Sequence, residues 1–217
     1  MKATAGWNLT IVGAWNANIL TPNWIADKII KKAEVRYEVF FDVINPQNRR
    51  RISFKDQGFS FEMLPGRVTF SPLSTKKGDL QSTENIAREI LKILCHTPIN
   101  GMGFNFNFED EDNDFLDAIV VFKDNEGFHE LGGEISGHEI QRTIKGLEIP
   151  GSPELNLKIS ATPEARHKIS FNYHHEVKEA EKAISLLTGD AMFDLSNHAK
   201  KVLEMYSDDF EEETDDD

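Results

Sequence analysis

Alternation of apolar and polar residues at every second position predicts several β-strands along this chain. The clearest alternation covers residues 35–43, and three shorter strands are predicted at 51–55, 59–63 and 67–71. Turn-forming residues such as Leu64-Pro65-Gly66 separate the shorter strands, which favours an antiparallel meander. The same two-residue period predicts further strands at 9–12, 104–108, 118–122, 155–159 and 169–173.

Apolar residues at helical spacing predict four helices, over about 22–32, 83–95, 177–187 and 195–206. Thr21 is the expected cap of the first helix, and Pro22 suits its first turn because a proline there loses no hydrogen bond. Thr83 or Ser82 is the expected cap of the second helix. Between 127 and 151 the pattern weakens, and a short helix is the most that it supports.

The order of these elements predicts an α+β fold. Runs of strands lead into helices, and regular strand–helix–strand alternation is missing, so a parallel doubly wound sheet is disfavoured. We expect a mostly antiparallel sheet with three to four helices packed on one face. Each half of the chain runs from strands into a helix, which allows a pseudo-duplicated arrangement. Residues 1–207 are predicted to form a single domain.

Charge narrows the choice of partners. The chain of 217 residues carries 37 acidic and 24 basic side chains, a net charge of −13. The ten residues 208–217 hold eight carboxylates and no basic group, which is typical of a disordered tail. Basic residues cluster only in short runs, so direct binding to nucleic acid is disfavoured.

The cysteine content predicts a reducing compartment, and the hydropathy predicts no membrane span. Cys95 is the only cysteine, so an intramolecular disulfide is impossible, and we expect a cytoplasmic protein. Its place at the end of an apolar helix face predicts a buried, unreactive thiol. The N-terminal residues lack the apolar segment of a signal peptide, and no apolar run of about 18 residues could cross a membrane.

One cluster has the composition of a metal site. His129, Glu134 and His138 lie in a glycine-rich segment, and on a helix Glu134 and His138 would face one divalent ion. The glycines disfavour a helix there by about 1 kcal/mol each. We therefore favour a solvated loop, predict no cofactor, and keep a metal-dependent or acid–base enzyme as an alternative.

A second histidine pair lies at a strand end. His174 and His175 are adjacent, and neighbouring residues on a strand point to opposite faces, so the two should not share a metal. One of them could act as a general acid or base in the enzyme alternative. The favoured interpretation is a polar strand end.

Tryptophan and asparagine are concentrated near the N-terminus. Trp7, Trp15 and Trp24 lie among several asparagines, including Asn16 and Asn18. Large rigid rings beside adaptable amides are typical of protein–protein interfaces, although such tryptophans also anchor cores. These five residues are the candidate binding residues.

Two segments resemble a family of uncharacterised, sporadically distributed prokaryotic proteins. They are 97–106, with the sequence Thr-Pro-Ile-Asn-Gly-Met-Gly-Phe-Asn-Phe, and 197–203, with the sequence Asn-His-Ala-Lys-Lys-Val-Leu. The resemblance implies a bacterial or phage context and carries over no activity and no site residues.

The leading hypothesis is a non-enzymatic protein–protein interaction factor of accessory, inhibitor or immunity type. A protein partner is expected, and a homodimer is compatible with the sequence. Two alternatives remain beside the enzyme. One is an acidic mimic of nucleic acid that uses 109–114 and 208–217 as phosphate-like segments, and the other is a small-ligand binder with its site between the sheet and the helices.

Overall fold

A computed structural model describes residues 2–4, 6–32, 34–41, 50–110, 138–161 and 167–204. Within these ranges the chain forms one ten-stranded sheet in which every pairing is antiparallel. In chain order the strands are β1 (Lys2–Ala3), β2 (Asn8–Gly13), β3 (Glu38–Phe41), β4 (Arg50–Phe54), β5 (Phe59–Leu64), β6 (Arg67–Pro72), β7 (Ile99–Asp110), β8 (His138–Ile144), β9 (Glu154–Ala161) and β10 (His167–His175).

The order of strands across the sheet is β3-β4-β5-β6-β2-β7-β10-β9-β8, and β1 pairs with the far end of β7. The predicted meander is therefore confirmed as β3 to β6. In the second half of the sheet, β8, β9 and β10 form another antiparallel meander. Strands β2 and β7 join the two halves at the centre.

The helices are α1 (Pro22–Ile25), which continues as a π-helix over Ala26–Ile30, then α2 (Lys77–Ile93), α3 (Ala180–Leu186) and α4 (Ala191–Glu204). Helix α2 contacts β5 and β6 as well as α3 and α4, and α4 contacts β7. The mixed α+β class with a large antiparallel sheet is thus confirmed. In the described part of the chain, no helix has the length and hydropathy needed to cross a membrane.

The core is built from alternate residues of the central strands. In β7, Phe104, Phe106 and Phe108 are buried, and they pair with Tyr173, Phe171 and Ile169 of β10. Because side chains alternate between the faces of a strand, one face of the sheet becomes continuously apolar. Edge-to-face packing between these rings, with centroids 5.7 Å apart for Phe108 and Phe171, favours this arrangement over random contact.

The cap of the first helix is confirmed, but the helix is shorter than predicted. The Thr21 hydroxyl oxygen accepts a hydrogen bond from the Trp24 backbone N–H at 3.2 Å, and Pro22 occupies the first turn. The π-helix that follows ends at Lys31, whose φ of 55° is left-handed and stops the helix.

The second helix begins earlier than predicted. Helix α2 starts at Lys77, and Leu80 in its first turn is fully buried. Thr83 is not a cap: it lies inside the helix, and its hydroxyl donates to the Asp79 carbonyl at 2.8 Å. Burial of Leu80 against the sheet explains why the helix includes a charged, glycine-containing segment that resembles a loop.

Two further expectations are wrong. Residues His138–Ile144 form strand β8, not a short helix, because their pairing with β9 satisfies the backbone. Cys95 is exposed, not buried, since it follows the last residue of α2 where the chain leaves the core. The predicted strand at 118–122 and the acidic tail at 208–217 lie outside the described residues.

Candidate functional site

The face of the sheet opposite the apolar side chains carries a row of uncharged polar groups. Alternation places polar residues at every second position of β2, β6, β7, β8, β9 and β10. Asparagine and threonine occupy adjacent positions on these six strands. We call this set the amide row; its members are Asn8, Thr10, Thr69, Asn105, Thr143, Asn156 and Asn172.

Strand register brings the four asparagines of the amide row side by side. Asn8 lies opposite Asn105, Asn105 lies opposite Asn172, and Asn172 lies opposite Asn156. Thr143 on β8 completes this line opposite Asn156. Directly opposed side chains on antiparallel strands are close enough to interact, so the register itself creates the cluster.

Hydrogen bonds connect these side chains in one direction. The Thr143 hydroxyl donates to Asn156 Oδ1 at 2.8 Å, and the Asn156 amide donates to Asn172 Oδ1 at 3.4 Å. Asn172 Nδ2 donates to Asn105 Oδ1 at 2.6 Å, and Asn105 Nδ2 donates to Asn8 Oδ1 at 2.8 Å. Successive bonds of the same polarity reinforce one another, so the row is held in one orientation.

The row continues past β2 through hydroxyl groups. The Thr10 hydroxyl donates to Asn8 Oδ1 at 3.0 Å and lies 3.0 Å from the Thr69 hydroxyl on β6. A shorter parallel row lies beside it, where the Ser170 hydroxyl donates to Asn107 Oδ1 at 2.8 Å. The polar face is therefore organised over at least two rows.

Gly103 makes room for the row at its centre. A Cβ atom at this position would lie 2.8 Å from Asn172 Nδ2, closer than real Cβ contacts. Asn172 Nδ2 lies beside Gly103 while it donates to Asn105 on the same strand, so a side chain at Gly103 would push this amide aside. Glycine at this position lets the Asn172 amide lie close to the β7 backbone, and it does so without an unusual backbone angle.

The chemistry of the row is recognition by hydrogen bonds. Each asparagine side chain has two N–H donors and an oxygen with two lone pairs, and the row uses only part of that capacity. The half-buried amides therefore present remaining donors and acceptors at the strand spacing of about 4.8 Å. Amide groups do not titrate near neutral pH, so the amide row itself suits binding by hydrogen bonds.

The three tryptophans named as candidate binding residues contribute mainly to packing. Trp7 is only 3% exposed, its Nε1–H donates to the Asn107 carbonyl at 3.0 Å, and its ring packs against Phe106. Trp15 and Trp24 are half-buried against the core, and Trp15 donates to the Ile11 carbonyl at 3.0 Å. Only the latter two offer part of their surface to a partner.

The two asparagines named as candidate binding residues, Asn16 and Asn18, form a local turn. Asn16 and Asn18 are exposed, and Asn16 Oδ1 accepts the Asn18 backbone N–H at 2.9 Å. This bond stabilises the turn that leads to α1. These asparagines do not belong to the amide row.

The candidate metal residues are mostly outside the described residues. His129 and Glu134 lie outside the described residues. For His138, at the start of β8, only the backbone is described. Among described residues, no group of three potential metal ligands is found.

The adjacent histidines separate as predicted. His174 is exposed on the polar face, whereas His175 is buried on the opposite face. Burial lowers the pKa of His175, and a hydrogen bond with the Gly151 backbone opposes that effect.

The amide row was not foreseen from the sequence, although part of its signal was present. The alternation of Phe with Asn over 104–108 indicates a strand with one amide face. The asparagines that complete the row are distant in sequence, and only the strand pairing identifies them. Comparison of the chain with protein-family models, curated proteins and solved structures gives no match.

Proposed function

We propose that this chain is a non-enzymatic interaction factor that binds a protein partner through the polar face of its sheet. The amide row carries this proposal, because four asparagines and three threonines in one connected hydrogen-bond network form a pre-arranged recognition surface. Pre-organised groups lose little conformational entropy on binding, which favours a specific contact.

The charge distribution supports a protein partner over nucleic acid. The chain has a net charge of −13, so a phosphate backbone would be repelled. Two lysines near the amide row form ion pairs with carboxylates. Lys158 on β9 lies 2.6 Å from Glu139, and Lys145, which follows β8, lies 3.0 Å from Glu154. Uncharged amides suit the donors and acceptors of a polypeptide surface.

An open polar face requires the helices to lie on the other side of the sheet. We propose that the helices form one layer on that other side. Helix α2 contacts β5, β6, α3, α4 and the π-helix, and α4 contacts β7, which supports one helical layer. The buried apolar residues of the strands would be covered by that layer.

We also propose that the two halves of the sheet are pseudo-duplicated. Outward from the central β2–β7 pair, one side continues as β6, β5, β4 and the other as β10, β9, β8. Each half contains an antiparallel meander followed by a helix. This order supports two related units that meet at the middle of the amide row.

The biological setting of the proposal is bacterial or phage, and cytoplasmic. The resemblance at 97–106 and 197–203 supports the first point, and a single cysteine supports the second. An accessory, inhibitor or immunity role fits a pre-arranged row of uncharged amides and hydroxyls. The partner of such a surface can also be a second copy of the chain.

The test places a photo-crosslinking amino acid on the polar face in cells that express the full chain. Thr143 is exposed at the end of the row, and Lys201 is exposed on α4, so they serve as test and control positions. We expect a discrete adduct with an identifiable protein from position 143 and none from position 201. Absence of any adduct from 143 would refute the proposal.

A pair of substitutions then separates the amide row from the predicted N-terminal site. Asn172→Leu removes the central amide, and the adduct at position 143 should fall at least tenfold. Asn16→Leu changes an exposed asparagine outside the row and should leave the adduct intact. The reverse pattern would assign partner binding to the N-terminal tryptophan and asparagine segment.

A further inference from the structure

A cavity of about 300 Å³ lies on the opposite side of β7 and β10 from the amide row. Helices α3 and α4 form one wall, and the segment around Gly151 closes another. Its apolar lining includes Phe104, Leu186 and Leu195, and its polar lining includes His175 and His198. We call this cavity the imidazole pocket. Its size is at the lower end of the range for small-molecule sites.

Small residues keep the pocket open. Ala191 in the first turn of α4 and Ser185 on α3 both line it, at positions where a larger side chain would fill the space. Gly151 has φ +77°, and a Cβ atom there would lie 2.7 Å from Leu186 Cδ2 and 2.9 Å from His175 Cε1. A glycine is therefore needed for this wall to approach the two side chains.

A buried tyrosine fixes the orientation of His198. The Tyr173 hydroxyl is fully buried and lies 2.8 Å from His198 Nδ1. Burial raises the pKa of Tyr173 far above its usual value, so the phenol keeps its proton and needs an acceptor. If the phenol donates to Nδ1, the imidazole proton is on Nε2, and this N–H is the donor left for a ligand.

Both imidazoles are uncharged near neutral pH. Burial is the main cause that lowers the pKa of His175 and of His198 below the usual value. Asp194 at the exposed rim adds a carboxylate that repels anions. The pocket thus has no cationic group in its lining to hold an acid.

The start of α4 does not offer an anion site either. The carboxylate of Glu84 accepts the backbone N–H groups of Gly189 at 2.6 Å and of Met192 at 2.9 Å. These are the donors that a bound anion would otherwise use. Neutral imidazoles and occupied helix amides together select against a negatively charged ligand, and the apolar walls disfavour burial of any charge.

We propose that the imidazole pocket binds an uncharged, mainly apolar ring compound that carries one oxygen to accept a hydrogen bond from His198. The oxygen is that of a phenol, ketone or ether. From the cavity volume the molecule has about ten to fifteen non-hydrogen atoms. This site is separate from the amide row, so the two proposals stand or fall independently.

The binding experiment uses 2-naphthol as the probe with the full chain. Its fluorescence is excited at wavelengths that tryptophan does not absorb, so a titration reports binding directly. We expect a dissociation constant between roughly 10 µM and 1 mM for a ligand of this size. The anion 2-naphthoate has the same rings and should bind at least tenfold more weakly. No saturable binding of 2-naphthol, or equal binding of 2-naphthoate, would overturn the proposal.

Two variants locate the probe. Ala191→Leu fills the pocket and should weaken 2-naphthol binding at least tenfold, whereas Ala17→Leu makes the same change at an exposed residue and should not alter it. NMR of the unmodified chain gives a readout that does not depend on any variant folding. The imidazole resonances of His175 and His198 should shift on titration and those of the exposed His96 should not. Shifts at His96 alone, or equal binding by both variants, would refute the site.

Discussion

At the scale of single residues, Glu84 shows how one buried carboxylate connects two helices. It lies on α2, is fully buried, and accepts backbone N–H groups from Gly189 and Met192 at the start of α4. Burial raises its pKa, while the two N–H groups and Arg88 lower it, so the carboxylate is compensated and not isolated. A carboxylate at a helix N-terminus also interacts favourably with the helix dipole.

We expect Glu84→Gln to destabilise the fold by about 2–3 kcal/mol, because an amide supplies one oxygen where two are needed and directs N–H toward N–H. Chemical denaturation measures this loss. Glu89→Gln is the matched control on the same helix. Glu89 makes a largely exposed ion pair with Lys92 at 2.7 Å, so its loss should cost less than about 0.5 kcal/mol. Equal losses for the two variants would contradict the role given to Glu84.

The buried His175 and the half-buried His198 predict a stability that falls in mild acid. Burial lowers the pKa of His175 and of His198 in the folded chain, while in the unfolded chain an imidazole titrates near 6.5. As the pH drops below about 6.5, the unfolded state therefore binds more protons, and the free energy of unfolding decreases. The contribution is complete above that pH and is lost as the pH falls through the lower, folded-state values.

Urea denaturation at pH 7.5 and at pH 5.5 measures this effect. His198→Gln removes one of the two groups, and the difference between the two pH values should become smaller. His96→Gln, at an exposed position, is the matched control and should retain the full difference. A wild-type chain that is more stable at pH 5.5 than at pH 7.5 would show that other groups dominate.

At the scale of secondary-structure elements, the first turn of α2 contains a glycine that lowers the stability of the helix. Gly78 lies in this turn, and a Cβ atom there would have nothing within 4 Å. Gly78→Ala should stabilise the fold by about 0.5–1 kcal/mol, since alanine restricts the unfolded chain and favours the helix. Thermal unfolding measures the gain.

Gly66→Ala is the matched control for this prediction. A Cβ atom at Gly66 also has nothing within 4 Å, but its φ is +76° in the turn between β5 and β6. The same substitution should therefore destabilise by about 1 kcal/mol, because alanine disfavours this backbone angle. If both variants changed stability in the same direction, backbone conformation would not explain the difference.

Local pattern predicted the strands better than the helix ends. The meander, the β7 alternation and the Thr21 cap depend on neighbouring residues, and the structure has all three. The start of α2 depends on burial of Leu80 by distant strands, which no local signal reports. Over 138–144, Ile140 and Ile144 are four residues apart, a spacing that fits a helix and a strand equally, and pairing with β9 decides between them.

The candidate site could not be assembled from sequence for the same reason. Asn105 and Asn172 are 67 positions apart, and they meet only because β7 and β10 pair in one particular register. A shift of one residue would turn every asparagine to the other face. The imidazole pocket likewise joins residues from β7, β10, α3 and α4.

At the scale of the whole molecule, the strand order makes the centre of the sheet more stable than either end. Strand β7 is paired with β2 and β10, whereas β3 pairs only with β4 and β8 only with β9 among the described residues. Every second backbone N–H of an antiparallel edge strand points away from the sheet and has no strand to accept it. Local opening should therefore be easiest at the two ends and rarest at the β2–β7 pair.

Hydrogen exchange followed by NMR tests this gradient residue by residue. We expect the amides of β7 from Gly103 to Phe108 to exchange about a hundredfold or more slowly than the alternate, outward-facing amides of β3 and β8. If the two halves are related units, protection should also fall in parallel from β6 to β4 and from β10 to β8. Uniformly slow exchange along β8 would contradict its place at the edge. A gradient confined to one half would leave the strand order intact and argue against the pseudo-duplicated arrangement, because equivalent strands in related units have equivalent partners.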